Sequence, residues 1–113
     1  MNRRFGRNAR IRRRVEFQRV YERGVRIQGR YSTLFVLPTP HATSRLGIAA
    51  TRKLGGAVRR NRAKRLIREA FRLNRSAVGL DVVVVPRARL FEASFKQIEA
   101  DYLTALKRYD HGR

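Results

Sequence analysis

The segment Val58–Arg72, VRRNRAKRLIREAFR, restricts the fold more than any other stretch of the chain. At about 100° per residue, Ala63, Leu66, Ile67, Ala70 and Phe71 fall within one arc of a helix. Asn61, Lys64, Arg65, Arg68 and Arg72 fall on the opposite arc, with Arg62 and Glu69 at its border. A helix divided in this way must lay its apolar arc on another element. Seven of the fifteen residues are basic and one is acidic. Glu69 can pair with Arg65 at i, i+4, which offsets only about 0.2–0.5 kcal/mol of like-charge repulsion. A merely solvated face would carry that cost with no return. A membrane-surface helix would need large apolar anchors on its free face, and the apolar arc is already required by the fold. A surface for polyanions is the reading that remains.

The flanking segments supply the sheet. Arg45–Lys53, RLGIAATRK, reads as a strand with Leu46, Ile48 and Ala50 on one face, and Gly55-Gly56 closes it before the helix. Leu80–Pro86, LDVVVVP, is an apolar run that suits a strand buried on both faces, with Pro86 as its stop. The two strands and the helix between them form a βαβ unit, so the strands should run parallel. Upstream, Phe17, Val20 and Tyr21 are spaced i, i+3, i+4 in a helix over 15–23, and Gly24 is its expected C′ residue. VRIQG and YSTLFVLP read as two strands around Gly29. In the second, Tyr31, Thr33, Phe35 and Leu37 should share one face, and Ser32, Leu34 and Val36 the other. The last helix opens on a Ser-x-x-Gln capping box at Ser94 and Gln97 and carries Ile98, Tyr102, Ala105, Leu106 and Tyr109 as one stripe. The predicted order is αβββαβα, an α/β chain built as a two-layer sandwich. One domain over 15–110 is expected, after a basic arm (1–14) with seven Arg and no acid and before a short tail (111–113).

Charge defines the partner class. Lys and Arg number 28 against 8 acids, for a formal charge of +20 and a pI near 11.9. Such a balance favours a phosphate backbone as partner. Twenty-four of the cations are Arg, whose planar fork suits bidentate phosphate contact. The charge is also directional: residues 52–75 hold ten basic residues and one acid, whereas residues 91–113 hold four of each. With no Cys, thiol chemistry and cysteine-bound metal are excluded. His41 and His111 lack partners at metal-ligand spacing. No apolar run approaches a membrane span and the N-terminus lacks the apolar core of a secretory signal, so a cytoplasmic protein is expected. Phe17, Tyr21 and Phe35 read equally well as core residues or as platforms on which single-stranded bases stack.

RLGIAATRKLGGAVRRNRAKRLIREAFR, Arg45 to Arg72, resembles the signature region of the protein subunit of bacterial ribonuclease P. The match centres on Arg60-Asn61-Arg62, followed by Lys64, Arg65, Arg68 and Glu69, and extends to EFQRVYERG, YSTLFVLP and GLDVVVVPR. The resemblance implies the same αβββαβα order with a left-handed βαβ crossover, against a general rule that is right-handed in about 98% of cases. It implies two partners, the catalytic RNA and precursor tRNA, and neither a membrane nor DNA. It places the catalytic RNA on Arg60, Asn61, Arg62, Lys64, Arg65 and Arg68. It places the single-stranded 5′ leader on Phe17, Tyr21, Phe35, Arg52, Lys53 and Arg89. Ala49 and Gly56 depart from the family pattern of Ser and Asn at these positions, so no RNA contact is assigned to them.

The eight acids show no paired arrangement and no His base is positioned, so hydrolysis would belong to the RNA, with Mg²⁺ held mainly there. The alternative class is a ribosomal or other structural RNA-binding protein. A DNA-binding helix would need a second helix in helix-turn-helix spacing, and the flanking segments read as strands.

Overall fold

The computed structural model describes residues 9–75 and 79–111. In chain order the elements are α1 (Arg14–Arg23), β1 (Val25–Gln28), β2 (Ser32–Pro38), β3 (Arg45–Ile48), α2 (Ala57–Leu73), β4 (Leu80–Pro86) and α3 (Phe95–His111). Short 3₁₀ turns occupy Arg52–Leu54 and Ala88–Glu92. The expected order αβββαβα is the observed one.

The sheet runs β1-β2-β4-β3. β4 lies antiparallel to β2 and parallel to β3, as the βαβ unit requires. Its central position explains a nearly continuous apolar sequence, because both faces of Val82, Val83 and Val84 are covered. One face, carrying Leu34, Val36, Val82 and Val84, packs against Ile67, Ala70 and Phe71 of α2 and Ile98, Tyr102 and Ala105 of α3. These two helices and the sheet form the sandwich. α1 crosses the opposite face, where Val20, Ile11 and Val83 make a smaller core with Phe17, Phe35, Leu37 and Val85.

Several local expectations shift. β3 ends at Ile48 rather than Lys53. Ala49 still donates its N–H to Val84 O, but Arg52–Leu54 then tighten into the 3₁₀ turn that leads to α2. Tyr31 lies ahead of β2 and is buried in the α2/α3 core with Leu34, so the alternation of faces begins only within the strand. Gly24 is extended (φ −78°) and not left-handed. A Cβ there would stand 2.5 Å from Val20 O and 3.1 Å from Val36 O, so close backbone approach, not helix reversal, demands glycine. Gly55, with φ 122°, is the residue that takes the positive-φ turn. The expected arm over 1–14 falls largely outside the described residues, but its described end is part of the core. Ala9 and Ile11 are buried, and Ile11 donates its N–H to Leu46 O at 2.9 Å along the outer edge of β3. Tail residues 112–113 also lie outside the described residues.

The capping box of α3 forms as expected. Ser94 N–H donates to Gln97 Oε1 (2.9 Å) and Gln97 N–H to Ser94 Oγ (3.2 Å). One turn further along α3, Asp101 accepts the N–H groups of Arg30 and Tyr31 at 2.8 and 2.9 Å, which anchors the β1–β2 turn to the helix.

Candidate nucleic-acid interface

The apolar arc of α2 is buried as its spacing requires, and its cations are thereby forced outward. Asn61, Arg62 and Arg65 are exposed, while Lys64 and Arg68 are half-buried, their stems lying towards the edge of β3. None of Arg60, Arg62, Lys64, Arg65 and Arg68 has an ion-pair partner among the described residues. Glu69 is engaged by Arg72 at i, i+3 through two guanidinium nitrogens, not by Arg65 as the i, i+4 spacing suggested. The planar fork of Arg72 takes the carboxylate bidentately, which a single Arg65 contact does not match. Burial first, then the charge of Arg10, push the Arg68 guanidinium below its ordinary pKa. Arg60 differs from its neighbours: it is half-buried and its Nε is buried without a hydrogen-bond partner.

The three aromatics meet on the α1 face of the sheet. Gly47, Val83 and Phe35 are cross-strand partners and form one row. The Phe17 ring lies on Gly47, so closely that a Cβ there would stand 2.8 Å from its Cζ. The Tyr21 ring meets that of Phe35 edge-on, with centroids 4.9 Å apart and planes at 80°. Phe17 and Tyr21 are 6.4 Å apart. Phe17 and Phe35 are half-buried and Tyr21 retains 39% exposure, so the row is core on one side and open on the other.

Arg52, Lys53 and Arg89 are exposed and do not touch the rings. They lie in the turns that follow β3 and β4, and because those strands are parallel all three residues share the carboxyl end of the sheet. The next row beyond the aromatics, Val85, Thr33 and Gln28, separates them from it. Arg59 joins this end, donating Nε to Leu54 O (2.9 Å) with its guanidinium 4.2 Å from the centre of the Phe91 ring.

The aromatic row and the α2 cations converge at the outer edge of β3, beside the segment Arg10–Ile11. A single depression there is lined by Phe17 and Ile48 together with Arg10, Arg12, Lys64 and Arg68.

The family model described as Ribonuclease P matches residues 5–110 of the chain. The chain belongs to the ribonuclease P protein family. A ribonuclease P protein component from Desulfovibrio desulfuricans is 44% identical over 108 residues, covering 90% of this chain and 83% of that one. The solved RNase P protein of Staphylococcus aureus superposes with a TM-score of 0.80 at 32% identity, over 89% of this chain and 94% of that one. That of Thermotoga maritima gives 0.79 at 35% identity, over 88% and 96%. Membership in the ribonuclease P family makes this chain the protein component of a ribonucleoprotein enzyme, and the activity is that of the holoenzyme with its catalytic RNA.

Sequence reasoning missed Arg45 and Asp81. Arg45 donates Nε and Nη2 to the two carboxylate oxygens of Asp81 (3.0 and 2.8 Å) and Nη1 to Glu16 Oε2 (2.8 Å). The available signal was the acid inside LDVVVVP: a carboxylate in a buried strand requires a cation. Arg87 was also missed. It holds Thr33 Oγ1 at 2.8 Å and the Gly29 carbonyl, and so braces the β1–β2 turn.

Proposed function

We propose that the outer face of α2 binds the catalytic RNA while the aromatic row receives the single-stranded 5′ leader of precursor tRNA. Arg60, Arg62, Lys64, Arg65 and Arg68 serve as phosphate contacts, with Asn61 as a hydrogen-bonding neighbour. Phe17, Tyr21 and Phe35 stack on leader bases, which tolerates any sequence because every base has a π-face. Arg52, Lys53 and Arg89 take the leader backbone as it leaves the row towards the carboxyl end of the sheet. The observation that carries this reading is the depression at the β3 edge, which Phe17 lines together with Lys64 and Arg68. It would bring leader and catalytic RNA side by side against one cationic surface.

Four of the chain's eight carboxylates are already engaged within the protein. Glu16 and Asp81 are held by Arg45, Asp101 by two backbone amides and Glu69 by Arg72. Among the described residues no three His, Asp or Glu side chains come together. In this reading Mg²⁺ is held mainly by the RNA subunit, and the protein's share is substrate affinity and screening of repulsion between two RNAs. This reading places the protein's action on RNA in the cytoplasm; no helix among the described residues is long and apolar enough to cross a membrane.

The test is reconstitution with a bacterial ribonuclease P RNA. Addition of the protein should accelerate leader release from precursor tRNA at low Mg²⁺. A protein that binds the RNA but leaves that rate unchanged would instead be a structural RNA-binding component.

A further inference from the structure

Glu16 performs two tasks at once. Its Oε1 accepts the backbone N–H groups of Arg12 (3.3 Å) and Arg13 (3.2 Å), which closes the first turn of α1. Its Oε2 accepts Nη1 of Arg45, while the other side of that guanidinium is spent bidentately on Asp81. Arg45, the first residue of β3, thus joins α1 through Glu16 to the second residue of β4, Asp81. The Arg45 and Asp81 side chains keep only 19% and 6% of their exposure. Charge-assisted bonds this sheltered fix direction as well as distance.

What the clamp holds is the seat of the aromatic row. Phe17 follows Glu16, and Gly47 lies two residues beyond Arg45 on the same face of β3. Two consecutive residues of α1 are therefore matched to two successive same-face positions of β3: the carboxylate to Arg45, the ring to Gly47. Further along, α1 meets the sheet through Val20 and Tyr21, apolar contacts that carry no direction of their own. Such contacts let a helix slide along strands, and a directional pair at one end decides where it stops.

We propose that Arg45 is a positioning residue for leader recognition, acting through Glu16 to hold α1 where Phe17 stands over Gly47 and Tyr21 over Phe35. This rests on the leader reading of the aromatic row.

Glu16→Gln separates positioning from charge. The amide keeps an oxygen for the backbone N–H groups but loses the ionic partner of Arg45. It also removes one negative charge, taking the formal +20 to +21, so general attraction to RNA can only rise. Two quantities are measured: the affinities of the reconstituted holoenzyme for precursor and mature tRNA, and the NMR signals of Gly47, which the Phe17 ring current displaces. The precursor-to-mature ratio should fall by about tenfold or more, as small misplacements of binding groups do. The Gly47 signals should move towards undisplaced values, and affinity for the RNA subunit should hold or rise. Arg45→Lys keeps the charge but cannot grip both carboxylates, and should act in the same direction; it gives the readout if Glu16→Gln melts too low. Unchanged ratios and unmoved Gly47 signals in these variants, with Tyr21→Ala still lowering the ratio, would overturn the positioning role and leave the leader reading intact. If Tyr21→Ala has no effect, the leader reading fails instead, and the Gly47 signals still decide whether the clamp sets the helix.

Discussion

Tyr21 of α1 stands edge-on to Phe35 of β2 with ring centroids 4.9 Å apart, on the face of the sheet that α1 crosses. The contact converts a helix residue and a strand residue into one open aromatic wall. Tyr21 keeps 39% exposure, so part of its ring remains open to a ligand. Tyr21→Ala should weaken binding of precursor tRNA by about 1–3 kcal/mol, the range for loss of one stacked base. Binding of mature tRNA, which has no leader, should be unaffected. Paired affinity measurements on the reconstituted holoenzyme check this, with a melting curve to show that the fold persists.

Gly47 provides the complementary test, because it is the floor on which Phe17 rests. An added Cβ would come within 2.8 Å of the ring, and Ile11 would crowd it at 3.1 Å. Gly47→Ala should therefore cost about 1–3 kcal/mol of stability as an overpacked contact. It should also lower the precursor-to-mature ratio by displacing Phe17. Denaturant unfolding and the two affinities together would show it.

Arg65→Ala should weaken binding to the catalytic RNA while leaving the melting temperature nearly unchanged, since this exposed cation has no carboxylate partner among the described residues to lose. Each removed phosphate contact should reduce the slope of log affinity against log salt by about 0.7–0.9 unit. Titrations at several salt concentrations measure that slope directly. Arg60→Ala and Arg68→Ala should weaken RNA binding and lower stability as well, because both side chains are half-buried and their stems pack on the protein.

How much of this was legible in the sequence depended on distance along the chain. The arcs of α2 and the stripe of α3 obey a period of 3.6, and Ser94 with Gln97 lies within one turn, so local spacing sufficed. The parallel pairing of β3 and β4 followed from connectivity. Arg45 was hidden because its partners lie 29 and 36 residues away, and no periodicity reports such pairs. The choice of Arg72 over Arg65 by Glu69 was hidden for another reason: both spacings are allowed on a helix, and the fork geometry decides. Gly24 misled because a glycine after a helix usually marks reversed backbone. Here it marks the approach of Val36, a tertiary fact. Of the interface residues, α2's cations could be placed by angle alone, whereas the joining of Phe17 with Lys64 and Arg68 required the edge of β3.

The clamp carboxylate gives the fold a defined acid response. The hydrogen bond from Arg45, helped by the amides of Arg13 and Arg12, holds Glu16 below its ordinary value of 4.5. A carboxylate depressed in the folded state adds stability above its unfolded pKa, and that stability is lost as pH falls through the folded value. The difference in melting temperature between the wild type and Glu16→Gln should therefore be full at neutral pH and shrink once pH drops below about 4.5. A difference that stayed constant through acidification would mean that Glu16 carries no such linkage.

Stimulation of leader release should be largest at low Mg²⁺ and shrink as Mg²⁺ rises, because a +20 protein substitutes for the counterions that let two RNAs approach. Cleavage rates across a Mg²⁺ series, with and without protein, test the screening role.

The central claim, that the aromatic row receives the leader while α2 holds the catalytic RNA, is tested most directly by photocrosslinking. A photoreactive phenylalanine analogue would be placed at Tyr21, and separately at Arg65, in the reconstituted holoenzyme bound to precursor tRNA. The account predicts crosslinks from position 21 to leader nucleotides and from position 65 to the catalytic RNA. Crosslinks from position 21 to the catalytic RNA alone, with none to the leader, would contradict it.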